Sequence, residues 1–277
     1  MRLLGSVLAV SGALWAQKAP SAKVVLSEAL DAWKRQIEEL GGGRVVVSRI
    51  HHDRERNLVV LPEDAGDRPV LRRFFLNPSF LSQFLATHAM SINYDGPEGK
   101  IHFIVLNMAR AGEWGHAEEA LLSHEFGHVW LNARGLALPG FEPGPRACVR
   151  IHAGDAVQHV LIFREIRRRG VDYNRYWLPN LETALGQLEQ RPAGAPPDPF
   201  CQRVSQLALW VDVRLGLPDG EWEHAERFLE LMARHYPEHK QPTEELVGLL
   251  RAGDLNDRDT YDRALAETLA YMERVAP

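Results

Sequence analysis

The sequence predicts an α+β fold with a mixed first half and a helical second half. Three observations carry that expectation. The β-rich runs, residues 45–47, 58–61 and 101–108, all lie before residue 113. From about Trp114 onward the apolar residues recur at three- and four-residue spacings, the period of a helix packed on one face. The helical part is broken by residues 191–199, where Pro192, Pro196, Pro197 and Pro199 give turn chemistry without periodicity.

The elements follow in order along the chain. Leu26, Leu30, Trp33, Ile37 and Leu40 mark an amphipathic helix that stops at the run Gly41, Gly42, Gly43. Residues 45–47 and 58–61 flank a polar stretch and predict a hairpin or two neighbouring strands. Asn77 followed by Pro78 is a helix cap with proline in the first turn, and Leu81, Phe84 and Leu85 supply the stripe of a helix to about His88. After a turn at Asp95, Gly96 and Pro97, residues 101–108 read as a buried strand, the last in the chain. One helix then runs through His124, another from about Gly154 to Arg169, and several follow residue 200.

Composition narrows the function before any motif is considered. The chain has 277 residues, 45% hydrophobic and 25% charged, which describes an ordinary globular protein able to bury a sizeable core. Its net charge of −5 gives no global basic field for nucleic acid or an anionic membrane surface. Residues 1–16 have the layout of a secretory leader, Arg2 followed by an apolar run too short for a permanent span. No later segment is long and apolar enough to cross a membrane, so the expectation is a secreted or periplasmic protein with one domain over residues 17–277, mixed to about 113 and helical beyond. In such a compartment Cys148 and Cys201 either bridge, closing a loop of about 53 residues, or remain two separate buried thiols. The sequence is silent on oligomeric state.

Chemistry concentrates in His124, Glu125, Phe126, Gly127 and His128. With 12 His among 277 residues, the pattern His-Glu-x-x-His is expected by chance only ~0.04 times. Ala117, Ala120, Leu121, His124, His128 and Leu131 fall on one helical face, which puts two imidazoles one turn apart inside an apolar stripe, where both can reach one metal ion. Glu125 is rotated about 100° from His124 and suits the general base that deprotonates a metal-activated water. The bland alternatives are two buried histidines satisfied by carbonyls, or a metal site without catalysis.

This segment resembles the zincin metallopeptidases, and the resemblance extends over about residues 101–170. It implies a zincin-like fold with a small mixed N-terminal lobe and a largely helical C-terminal lobe. It further implies Zn2+ as cofactor, a peptide or protein substrate, and a strand before the motif helix that pairs with extended substrate, a place that residues 101–108 occupy in sequence. The metzincin branch is excluded because Leu131 and Arg134 stand where Gly and His are required, and the gluzincin and aspzincin signatures are absent.

A third ligand is expected after the motif helix. Asp155 and His159 lie four residues apart on a face that continues with Ile162 and Ile166, which favours His159 as third ligand with Asp155 as its support or its substitute. Glu165 and His152 are the other candidates. Tyr173, Tyr176 and His152 are candidate donors to a developing oxyanion. His51, His52, His88, His116, His224, His235 and His239 have no evident acid or thiol partner and read as ordinary residues. The expected activity is that of a secreted zinc metallopeptidase with metal ligands His124, His128 and His159 and general base Glu125. The alternatives are a zinc hydrolase of another amide, such as a cell-wall bond, and a zincin-like protein that holds metal without turnover.

Overall fold

The computed structural model describes residues 23–53, 58–138, 147–192, 195–196, 198–218 and 220–275. The leader expected over residues 1–16 lies outside them. The architecture is α+β, with a four-stranded sheet in the first half and helices after it.

Helix α1 (Glu28–Gly41) begins at Ser27, whose hydroxyl accepts from the Leu30 amide, and ends at Gly42, where φ is 66°, a conformation glycine adopts without a Cβ penalty. Strand β1 (Arg44–Asp53) pairs antiparallel with β2 (Leu58–Val60), the expected hairpin. Helices α2 (Arg68–Phe75) and α3 (Pro78–Ala86) follow, the second capped by the Asn77 side chain, which accepts from Ser79 and Phe80 amides. Strands β3 (Ala89–Gly96) and β4 (Gly99–Asn107) form a hairpin closed between Gly96 and Gly99.

The strand order is β2-β1-β4-β3, with β1 parallel to β4. Each face of the sheet is covered. Ile50, Ile101, Phe103 and Val105 pack under α2 and α3, while Val45, Ile104 and Leu106 join the main core with α1 and the later helices. A sheet buried on both faces needs apolar residues in both registers, which is why β4 reads as a continuous apolar run.

A short helix α4 (Ala111–Trp114) leads into the motif helix α5 (Glu118–Ala133). The ion pair of Arg49 with Glu118, at 2.6 Å, ties the start of α5 to β1. Helix α6 (Ala147–Arg168) crosses α5, and α7 (Asn174–Gln190), α8 (Phe200–Gly216), α9 (Ala225–His235), α10 (Lys240–Ala252) and α11 (Arg258–Val275) complete the helical part. Cys148 and Cys201 form a disulfide that joins the first turns of α6 and α8.

Three expectations need correction. Helix α6 starts at Ala147, two turns before Gly154, and Gly154 is a packing position, since a Cβ there would collide with the Leu138 side chain. Residues 89–96, not among the expected strands, form one, and their polar–apolar alternation is that of a strand: Met90, Ile92 and Tyr94 face the α2–α3 layer and Ser91 and Asn93 the opposite side. Residues 101–108 cannot pair with extended substrate as the resemblance implies: β4 is hydrogen-bonded on both sides, to β1 and to β3, and has no edge to offer, whereas β3 stands at the end of the sheet.

Candidate metal centre

Helix α5 is buried almost all round. Between Ala120 and Leu131 only His124 and His128 are partly open. The apolar stripe expected from the sequence is real, but it is part of a wider buried surface that includes Phe126, Val129 and Trp130. Gly127 is required by close approach: a Cβ there would lie 2.6 Å from Cγ2 of Ile162, so the absent side chain lets α6 press against α5.

That approach brings in His159 from α6. His124, His128 and His159 each offer a nitrogen within 4.8 Å of the others, and among the described residues this is the group of acids, thiols and imidazoles able to hold a metal ion. Nε2 of His124 lies 2.9 Å from Nε2 of His159. The other nitrogen of every ring is engaged with oxygen. Nδ1 of His124 is 3.2 Å from Oε1 of Glu125, Nδ1 of His128 is 2.7 Å from Oε1 of Gln158, and Nδ1 of His159 is 2.9 Å from Oδ2 of Asp212. A neutral ring whose Nδ1 donates to the oxygen it faces keeps its lone pair on Nε2, and such a donor set fits a borderline metal cation, which on His159 would displace a proton.

The supporting residues are themselves held. Gln158 donates through Nε2 to the Leu136 carbonyl and the Tyr261 hydroxyl, each at 3.0 Å, so its amide is fixed with the oxygen toward His128. Burial opposes charge on His159, but the Asp212 carboxylate outweighs it and raises the pKa to about 9. Burial, joined by His124, instead pushes His128 down to about 4. Burial raises the Glu125 carboxyl, yet the His124 hydrogen bond and the neighbouring imidazoles leave it below its ordinary value, so it is a carboxylate at neutral pH. Glu125 is only 6% exposed and also accepts from the Ser91 side chain on β3.

Of the other candidates for third ligand, Glu165 is engaged elsewhere: its Oε1 is 2.6 Å from Arg168 and from Arg169. Asp155 and His152 lie near enough to interact electrostatically with His159, but neither belongs to the three-nitrogen group. Tyr173 and Tyr176 do reach the site. The Tyr173 ring stacks on His124 with centroids 5.9 Å apart, and burial raises its pKa well above the ordinary value. The Tyr176 hydroxyl is 2.7 Å from Nδ1 of His88, whose Nε2 is 3.0 Å from Glu113. His88, read as ordinary from the sequence, is thus part of a carboxylate–imidazole–hydroxyl chain.

Sequence reasoning missed Gln158, Asp212, Ser91 and His88. Asp212 left a signal, a lone carboxylate among Leu207, Ala208, Val211 and Val213 on a buried helix. Comparison with protein-family models, curated proteins and solved structures found no match.

Proposed function

We propose that this protein is a zinc-dependent metallopeptidase of zincin type, acting outside the cytoplasm. The observation that carries the reading is the company of the three imidazoles: a buried, ionised carboxylate, Glu125, stands beside them without belonging to the three-nitrogen group. A purely structural zinc site has four protein ligands and no use for such a base. Zn2+ bound by His124, His128 and His159 would supply Lewis acidity, which acidifies water and polarises a carbonyl.

The chain's own groups account for the remaining needs of amide hydrolysis. Glu125 takes a proton from the attacking water and delivers it to the leaving amine. Asp212 and Gln158 keep the Nδ1 protons of His159 and His128 in place, so Nε2 remains the basic nitrogen. Tyr173, kept protonated by burial and stacked on His124, serves the developing oxyanion, while the Tyr176 hydroxyl is held by His88. Strand β3 stands at the sheet edge and contacts Glu125 through Ser91, which supports binding of an extended peptide along it. The disulfide accords with an oxidising compartment, and no helix among the described residues is long and apolar enough to cross a membrane.

The test is cleavage of a quenched-fluorescent peptide library by zinc-loaded protein. Activity that is abolished by chelator and absent in Glu125→Gln supports the reading. Activity unchanged in Glu125→Gln refutes it.

A further inference from the structure

A cavity of about 540 Å³ opens at the other end of α8, where the end of α7, the start of α8 and α9 meet. It shares no lining residue with the metal centre. Its volume falls within the range of small-molecule sites, ~300–1,000 Å³. Pro192, Leu231 and Pro237 give it an apolar wall, and its charged lining sets four arginines against the carboxylates of Glu189, Asp198 and Glu238.

The charge accounting shows which of these arginines are committed. Arg191 donates twice to Asp198 at 2.9 Å, and the Tyr236 hydroxyl donates to the same carboxylate. Burial raises the Asp198 carboxyl, but those donors outweigh it and hold it below the usual carboxylate range, so Asp198 is ionised and its charge is answered inside the wall. Arg227 lies 3.6 Å from Glu189. Arg203, which acts on Asp198 from beyond ion-pair distance, and Arg234 remain. Among the described residues neither has a carboxylate within ion-pair distance, and Nε of Arg203 is buried without a hydrogen-bond partner. An oxyanion in the cavity would give either guanidinium a charge-assisted partner.

We propose that this cavity is a binding site for a small organic oxyanion, a carboxylate or phosphate monoester with an apolar body, held through Arg203 and Arg234. A guanidinium pairs with either headgroup through parallel N–H donors, while Leu231 and the prolines take the apolar body. Two of the three lining carboxylates, Asp198 and Glu189, already face arginines, which leaves Glu238 alone against Arg203 and Arg234 and favours an anion over a cation. The site is independent of the proposed peptidase activity.

The experiment is calorimetric titration of the disulfide-intact protein with phenyl phosphate and, separately, with benzoate. Each probe is titrated against wild type, Arg234→Gln and Arg203→Gln. The expected result is one saturable site for at least one probe, weakened about tenfold or more by either substitution. The probe that binds tighter identifies the headgroup. Arg234 is exposed, so Arg234→Gln keeps a folded comparison even if the Arg203 variant is unstable. Binding of the same strength in Arg234→Gln would assign the anion to the histidine centre or to scattered surface arginines and overturn the proposal. So would saturation by neither probe at millimolar concentration.

Discussion

His159 and Asp212 meet across the α6–α8 interface with the same sequence offset, 53 residues, as the disulfide between Cys148 and Cys201. The two links are rungs between parallel helices. They stand eleven positions apart on each, about three turns, and so on the same stripe. The covalent rung at the start of the helices fixes the alignment that presents Asp212 to His159.

Asp212→Asn keeps the shape but replaces a carboxylate with an amide that cannot hold the Nδ1 proton as firmly. We expect metal affinity to fall ~10–100-fold, with the circular dichroism spectrum unchanged. Chelator competition measures it, and unchanged affinity would remove Asp212 from the site.

The disulfide closes a loop with a separation of 53 residues. On the chain-entropy model its removal by Cys148→Ser with Cys201→Ser costs about 4 kcal/mol, read by urea unfolding of metal-free protein. The shared stripe adds an expectation that loop entropy alone does not: the folded variant should also bind metal more weakly than wild type. Equal affinity would mean that α6 and α8 hold their register unaided.

Gly127→Ala puts a methyl group where Ile162 stands, with contacts of 2.6 and 2.8 Å to its side chain. Overpacking of this kind costs ~1–3 kcal/mol. Because it pushes α5 from α6, it should also spread His124 and His128 from His159, lowering metal retention. Restoring space with Ile162→Ala in the same chain should recover part of both losses, and the double variant is the measurement that checks the mechanism.

His102 is fully buried on β4, with Nδ1 2.6 Å from Oδ1 of Asn93 and Nε2 unpartnered. Burial pushes its pKa down to about 4 from 6.5, with Lys100 adding to the effect. The unfolded chain therefore binds this proton first. The neutral imidazole's contribution to stability is complete above pH 6.5 and is lost as pH falls from there through about 4. Comparing wild type with His102→Asn, both metal-free, from pH 7 to pH 4, the wild type should lose stability more steeply, by up to about one proton per molecule. Parallel curves would contradict this.

Much of this molecule was legible in the sequence because the signals were local. The helix over Leu26–Leu40, the Asn77 cap, the β4 run and the His124–His128 pair each rest on periodicity or capping within a few residues. His159 was legible because it repeats the one-turn logic of the motif helix. Strand β3 carries the period-2 alternation of a half-buried strand over residues 90–95 and was legible too; its place at the sheet edge was not, because strand order depends on pairing between distant segments. Asp212, Gln158 and the His88–Tyr176 pair were not legible as partners, since the contact each makes depends on how the helices and the sheet pack together.

On the proposed reading His124, His128 and His159 together hold one metal ion. It is tested most directly by elemental analysis of protein purified without chelator and dialysed against trace zinc, comparing wild type with His159→Ala, Asp155→Ala and Glu165→Ala. About one zinc per chain is expected in wild type, with its loss in His159→Ala and its retention in the other two. Full zinc occupancy in His159→Ala, or none in the wild type after zinc is supplied, would contradict it.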